Sequence, residues 1–299
     1  DTVAMIGATE YRTLADAITA ADENATVTLL KDVTVTNPIE VTKSMTLDLN
    51  GHVLTAATAS DRSESKDERN SAIWVTAENV NLTINGMTAG SGMKMGDTHD
   101  TDWKTKVWGF VDLREDSAGS TVTINGGSYT GSTCASDNYH YTALFTVGSE
   151  SKLILNNVSA ETDERVVKAS SCGEVVVSGG TYNITGINAF LGAAFETKTA
   201  SFTDMKLTAK YGDKADNNGR VIGRTQSLVT LPTNKTELQA TVTDLVITGE
   251  NLLEKAGTMI NGQARFANDH LAQYEGQNVT LRATVVDEKT GEGVNTGVV

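Results

Sequence analysis

The sequence predicts an all-β solenoid, a chain wound coil upon coil, and three observations lead there. One short motif keeps returning: LDLNG (47–51), LTING (82–86), VTING (122–126), LILNN (153–157) and VVVSG (175–179), with degraded copies SFTDMKL (201–207) and ATVTDLVI (240–247). Hydrophobic residues are 39% of the chain but aromatics only 5%, so the interior is built from Val, Ile, Leu and Ala, which suits narrow stacked sheets. Only 2 Pro stand against 27 Gly, and Thr and Asn recur throughout, which is strand-and-turn chemistry.

In each copy apolar residues stand two apart and then meet a polar turn residue: Asn50, Asn85, Asn125, Asn156, Ser178, Asp204 and Asp244. The intervals between these positions are 35, 40, 31, 22, 26 and 40 residues. A second strand-like run precedes most copies: SAIWVTA (71–77), WGFVDLRED (108–116), TALFTVGSE (142–150), ERVVKASS (164–171) and NAFLGAAFE (188–196), with RVIGRTQS (220–227) before the last. Asn-Gly between alternating strands is a strong hairpin signal. A hairpin needs a good strand directly after the turn, and here HVLTAAT, MTAGSGM or GSYTGST follows, small-residue stretches that run into long loops. Parallel stacking explains the recurring unit more simply. Each Asn then sits above the last, where its amide can bond its neighbours.

The N-terminal end of a solenoid exposes strand edges and core, and needs a cover. Leu14, Ala17, Ile18 and Ala21 lie at helical spacing, one apolar face, and Thr13 with Asp16 three residues on forms an approximate capping box. The segment EYRTLADAITAADENATVTLLKDVTV (10–35), followed by VTKSMTLDLNGHVL (41–54), resembles the opening of the right-handed parallel β-helix of the pectate-lyase-like superfamily. More narrowly, the pattern resembles the β-helical repeat regions of secreted and cell-surface, adhesin-like proteins of gut bacteria. The resemblance covers about residues 3–250. It implies a right-handed, single-stranded parallel β-helix with a short N-terminal capping helix.

The whole chain then reads as one domain: a cap over 1–25, coils over 26–250, and terminal coils or a cap over 251–299. Charged, Gly-rich or polar insertions at 58–71, 89–106 and 135–141 lack periodicity and read as loops leaving one side of the coil, where a site on a rigid scaffold is expected. TMINGQARF (258–266) fits a further coil, while 277–299 alternates like the opening of a bacterial immunoglobulin-like repeat. Roughly eight to ten coils at about 4.8 Å each give a stack on the order of 40–50 Å.

A net charge of −14 argues against nucleic acid and anionic membranes as partners. No apolar run approaches the roughly 20 residues that span a bilayer. The chain starts at Asp1 without Met, which fits equally a trimmed fragment or a mature secreted form. Cys134 and Cys172 form no metal motif; a disulfide and two separate thiols both remain open.

The lyases of the resembling fold use calcium and an Arg or Lys base, and its hydrolases use carboxylates in a groove. No Asp-Asp step, Gly-His-Gly or Arg-x-Lys triplet carries those signatures over, so no catalytic residue is assigned. Asp97, Asp100 and Asp102 put several oxygens on one loop, a candidate Ca²⁺ site without the spacing of an EF-hand. Asp112, Arg114 and Asp116 share one strand face, read as an exposed ion-paired strand. His99 and His140 lie in different loops, where chance placement outweighs a metal pair. Trp103, Tyr139 and Tyr141 sit in loop regions and are the candidate ligand-binding rings, Trp103 between Asp102 and Lys104 being the hardest to bury. Trp74 and Trp108, within strand-like runs, read as core. Thr-x-Thr runs at such uneven intervals do not make an ice-binding array.

The function expected is a non-catalytic, monomeric, extracellular or cell-surface protein of adhesin type, presenting loops to a polysaccharide or a host surface protein. A polysaccharide lyase or glycoside hydrolase with a divergent site is the first alternative, and a structural stalk the second.

Overall fold

In a computed structural model, the structure describes residues 1–57, 71–96, 107–131, 143–162, 165–170 and 172–184, and after residue 194 the strands alone. The chain opens with β1 (Ala4–Ile6), β2 (Thr9–Tyr11) and α1 (Leu14–Ala20). Then come coils of three strands each. The first is β3 (Ala25–Leu29), β4 (Val33–Val35) and β5 (Ile39–Val41). The second is β6 (Met45–Asp48), β7 (Val53–Ala56) and β8 (Ser71–Val75). The third is β9 (Asn81–Gly86), β10 (Gly92–Met95) and β11 (Gly109–Leu113). The fourth is β12 (Thr121–Gly126), β13 (Ser128–Thr130) and β14 (Ala143–Val147). The fifth is β15 (Lys152–Asn156), β16 (Ser159–Thr162) and β17 (Arg165–Ala169). The sixth is β18 (Glu174–Ser178), β19 (Thr181–Ile184) and β20 (Phe195–Glu196). The seventh is β21 (Thr199–Thr203), β22 (Lys206–Lys210) and β23 (Val229–Thr230).

Within these seven coils each strand pairs in parallel with the strand three places on, giving sheets A (β3 to β21), B (β4 to β22) and C (β5 to β23). Among the described residues the fold is therefore all-β, with parallel sheets stacked coil on coil and one short helix, compatible with a β-helix-like solenoid. The stretch LDLNGHVL shows why. Asn50 and Gly51 take φ of 49° and 82°, the left-handed region these residues tolerate, and His52 N–H donates to Leu49 O at 2.8 Å. After that tight turn β7 does not fold back on β6. It joins sheet B between β4 and β10.

Strand periodicity fills the interior column by column. Val27, Leu47, Ile84, Ile124, Leu155 and Val177 stack in register inside sheet A, each 1% exposed or less. Sheet B contributes Leu54, Met93, Tyr129, Ala160 and Tyr182, and sheet C contributes Ile39, Ile73, Val111, Phe145, Val167 and Phe195. Burying each large aliphatic or aromatic side chain contributes about 1.5–3 kcal/mol, so stability accumulates coil by coil. On the outer side of sheet A, Asn156 Nδ2 donates to Asn125 Oδ1 at 2.9 Å, and Asn125 stands in register with Asn85.

The first copy of the motif is out of step with its alignment. The structure pairs Leu47 with Ile84 and Asp48 with Asn85, so Asn50 lies beyond the ladder and instead donates from Nδ2 to Leu29 O at 3.0 Å. A slip of two residues keeps the same face inward, which is why the hydrophobic pattern alone does not detect it. A one-residue difference marks β21, where Thr203 rather than Asp204 stands opposite Ser178.

The N-terminal cover has two parts. Thr13 Oγ1 accepts from Asp16 N–H at 3.0 Å, and Leu14, Ala17 and Ile18 are buried on the face that meets β1, β2, β3 and β5. The sequence reading gave the helix this role alone. The structure adds the antiparallel pair β1–β2, with β1 antiparallel to β3, closing the sheet A edge.

Beyond β23 the pattern changes. The remaining strands are β24 (Ala240–Val242), β25 (Val246–Gly249), β26 (Lys255–Ala256), β27 (Thr258–Ile260), β28 (Gln263–Arg265), β29 (Asn278–Arg282), β30 (Val285–Asp287) and β31 (Gly293–Val294). The copy at 240–247 does not extend the parallel stack: β24 pairs antiparallel with β30, and β25 with β29, which is itself antiparallel to β22. At 258–265 the strands on either side of Asn-Gly pair antiparallel, Ile260 opposite Gln263, so here the motif does join a hairpin.

Among the described residues, two tyrosines are fully buried in the core. Burial pushes the phenols of Tyr129 and Tyr182 above their ordinary 10.0, and for Tyr182 a charge on Tyr129 would add to the rise. The folded state thus favours the neutral phenol. That contribution is complete below the unfolded value and is lost as pH rises through the folded one. Thermal melts are expected to hold steady on these two groups up to about pH 9 and to fall above about pH 10. A Tyr129→Phe/Tyr182→Phe variant should lose most of that alkaline slope.

Candidate functional site

The long intervals within a coil share one position. They fall between the sheet B and sheet C strands: 57–70 before β8, 96–108 before β11, 131–142 before β14, 185–194 before β20 and 211–228 before β23. The connections from sheet A to B and from C to A are short by comparison, down to the single residue 127 between β12 and β13. Variable length is thus confined to one corner, and sheet C lies immediately beside it. The segment read as an insertion from residue 89 contains β10, which keeps sheet B in register with Val53–Ala56.

Sheet C differs from sheet A in how it is covered. Strands β9, β12 and β15 alternate buried and accessible residues, as one-sided strands do. In β11 and β14 all five residues are buried. Successive side chains point to opposite faces, so at the third and fourth coils both faces of sheet C are covered. Phe110, Tyr129 and Phe145 meet there, with ring centroids 5.5 to 6.3 Å apart.

On this sheet the structure assembles a polar group the sequence does not announce. Asp112 stands in register with Trp74, one coil before it. Arg114 places its guanidinium carbon 4.5 Å from the centre of the Trp74 ring and its Nη1 3.4 Å from Asp112 Oδ2. The Arg114 backbone is held as well: its N–H donates to Val75 O at 3.0 Å, and its carbonyl accepts from Ser117 Oγ at 2.6 Å. Asp112 is fully buried while the Arg114 side chain stays 27% exposed, so the cation is oriented from below and reaches solvent above. The same outer column continues with Thr146 and Lys168.

Two expectations change here. The 112–116 run is not an exposed ion-paired strand: Asp112 is buried, the strand ends at Leu113, and Glu115 and Asp116 lie in an exposed turn. Trp74 is not a core filler either, being half-buried under Arg114, and Trp108 is also half-buried. The signal for Asp112 and Arg114 was their spacing of two; the signal for Trp74 was missing, because its register depends on the length of an intervening insertion.

The candidate rings Trp103, Tyr139 and Tyr141, the candidate calcium ligands Asp97, Asp100 and Asp102, and also His99, His140 and Cys134 lie outside the described residues. Along the chain the Asp97–Trp103 group precedes β11 and the Tyr139–Tyr141 group precedes β14. Among the described residues no group of three or more His, Cys, Asp or Glu is placed to hold a metal, and no helix is long and apolar enough to cross a membrane.

Compared with protein-family models, curated proteins and solved structures, the chain matches none. The functional reading therefore rests on geometry and on the residues themselves.

Proposed function

We propose that this chain is a non-catalytic extracellular surface module of adhesin type, which binds a polysaccharide or a host surface protein through the insertions beside sheet C. The observation that carries the reading is the placing of every long interval of the seven coils between the sheet B and sheet C strands, at one end of sheet C, while the arginine oriented by Trp74 and Asp112 stands at the other end of the same sheet, so that a ligand reaching both lies along its outer face. A guanidinium fixed in place loses less freedom on taking a carboxylate or hydroxyl oxygen than a free one does. Rings and carboxylates arriving on the neighbouring insertions, Trp103, Tyr139 and Tyr141 with Asp97, Asp100 and Asp102, would complete a contact surface and a calcium site. The handedness proposed is right-handed, supported by the strong preference of parallel strand connections for that hand. This gives the pectate-lyase-like form of the β-helix.

The test is a panel of acidic and neutral polysaccharides, incubated with the protein in Ca²⁺ and separately in chelator. Retention without new reducing ends or unsaturated products is expected, and Arg114→Ala should weaken it by about tenfold, the order of one charge-assisted hydrogen bond. Cleavage would replace this reading with that of a divergent lyase or hydrolase. Neither retention nor cleavage would leave a structural stalk.

A further inference from the structure

One dipeptide recurs in different settings along the chain. Of the Asn-Gly steps, Asn50-Gly51, Asn85-Gly86 and Asn125-Gly126 lie among the described residues. Asn-Gly is chemically labile, because a glycine nitrogen with no side chain beside it can attack the preceding side-chain amide. The attack requires that nitrogen to approach the Asn Cγ in a reactive geometry. Backbone held by other bonds therefore resists it.

Two of the three steps are held by the sheet. Asn85-Gly86 and Asn125-Gly126 close β9 and β12, where they stand opposite each other in the parallel ladder. Turning either glycine nitrogen toward its Asn side chain would break that pairing. Leu49 N–H donates to Asn85 O at 3.0 Å, which fixes the peptide joining Asn85 to Gly86. Asn125 is tied across the coils, its Oδ1 accepting from Asn156 Nδ2 at 2.9 Å. Asn50-Gly51 differs. It lies beyond the ladder, in the turn closed by His52 N–H to Leu49 O, and Asn50 is exposed where Asn85 and Asn125 are half-buried. Two hydrogen bonds restrain its reacting atoms: Asn50 Nδ2 donates to Leu29 O at 3.0 Å, and Gly51 N–H donates to Ser91 Oγ at 2.8 Å.

We propose that Asn50-Gly51 is a site of self-modification in the folded protein, with Ser91 holding its rate down. Once Ser91 Oγ releases the Gly51 N–H, hydroxide removes that proton. The nitrogen's electron pair forms a bond to Asn50 Cγ, and the Cγ–Nδ2 bond breaks. Ammonia leaves, taking its third hydrogen from water and restoring the hydroxide. Water then opens the succinimide at either carbonyl, to an aspartyl or an isoaspartyl link. One water is consumed and one ammonia released, with no change of oxidation state. The new carboxylate cannot donate to Leu29 O, and it adds negative charge near Asp48, whose Oδ1 accepts from Asn50 N–H at 3.0 Å. The isoaspartyl form also inserts a methylene into the backbone of the Leu49–His52 turn. The outcome is a slow, one-way loosening of the seam between the first and second coils.

The test uses the full chain, incubated folded at mildly alkaline pH and then digested, with amide-to-acid conversion and isoaspartyl links mapped at each Asn. Asn50 is expected to convert well ahead of Asn85 and Asn125, and that lead should be lost in urea, where the three settings no longer differ. Equal rates in the folded chain, or a lead at Asn85 or Asn125, overturn the proposal. Ser91→Ala should speed conversion at Asn50 by about 2- to 10-fold, the factor that one hydrogen bond represents, while Asn85 keeps its rate. No change at Asn50 overturns the part given to Ser91. The comparison of folded with urea-unfolded chain needs no variant, so it decides the site even where Ser91→Ala loosens the fold. Asn50→Asp supplies the carboxylate directly and should lower Tm by about 2–4 °C; an unchanged Tm contradicts the loosened seam.

Discussion

Gly180→Ala is expected to destabilise the protein by about 3 kcal/mol or more. Two effects add. Gly180 has φ of 92°, where an L side chain is strained by about 1–2 kcal/mol. Its added Cβ would also lie within 3 Å of both Val158 O and Val158 N in the coil below. That neighbour is backbone and is already engaged, since Thr181 N–H donates to Val158 O at 2.9 Å. It cannot withdraw without loosening the ladder between the fifth and sixth coils. Gly7→Ala is the control: φ is 57°, so the backbone strain is comparable in kind, but nothing stands within 4 Å of the added carbon. Urea unfolding should show a loss of about 1 kcal/mol there. Equal losses at both glycines would mean that the coils are not stacked as closely as Val158 and Gly180 require.

The second large effect is expected at Phe145. Its ring is fully buried, in register between Val111 and Val167, and packs against Phe110 and Tyr129. Phe145→Ala removes most of that volume from a wall whose opposite face is also covered, so the neighbours have little room to collapse. A loss of about 3–5 kcal/mol follows, against less than about 1.5 kcal/mol for Phe145→Leu. Denaturant midpoints with an unchanged m-value would show a change in stability alone. If Phe145→Ala cost no more than Phe145→Leu, the aromatic cluster would not be the tightly packed centre seen between sheets B and C.

Both positions show what the sequence reveals and what it hides. Alternation at Leu153 and Leu155, or at Val175 and Val177, is enough to identify inward-facing strands, because the period of two is local. The helix was legible for the same reason: Leu14, Ala17 and Ile18 share a face and Thr13 supplies the cap. The Asn ladder was legible from its repetition. Register was not, because it is set by turns. The extra residues of the Leu49–His52 turn move Asp48, not Asn50, opposite Asn85. Nor does alternation say which way a partner strand runs, so Ala240–Val242 carried the repeat's pattern and yet paired antiparallel. The site was the least legible part. Asp112 is buried on a strand whose five residues are all buried, which alternation does not foretell, and Trp74, in register with it, is separated from it by an insertion whose length follows no pattern. What sequence could supply was where along the chain the long intervals fall, before β8 and before β14, while the one read over 89–106 takes in β10, whose short apolar run Gly92–Met95 the polar surroundings concealed.

The central claim is that successive coils stack in parallel register, which is what brings all the long insertions to one corner. Solution NMR on deuterated protein tests it most directly through cross-strand amide contacts. In-register coils give contacts linking Thr83 to Thr123 and Thr123 to Ile154. They give none of the antiparallel contacts between Leu47 and Leu54 that a hairpin across Asn50-Gly51 requires. Contacts between Leu47 and Leu54, with none joining Thr83 to Thr123, would contradict the stacked coils and with them the shared corner beside sheet C.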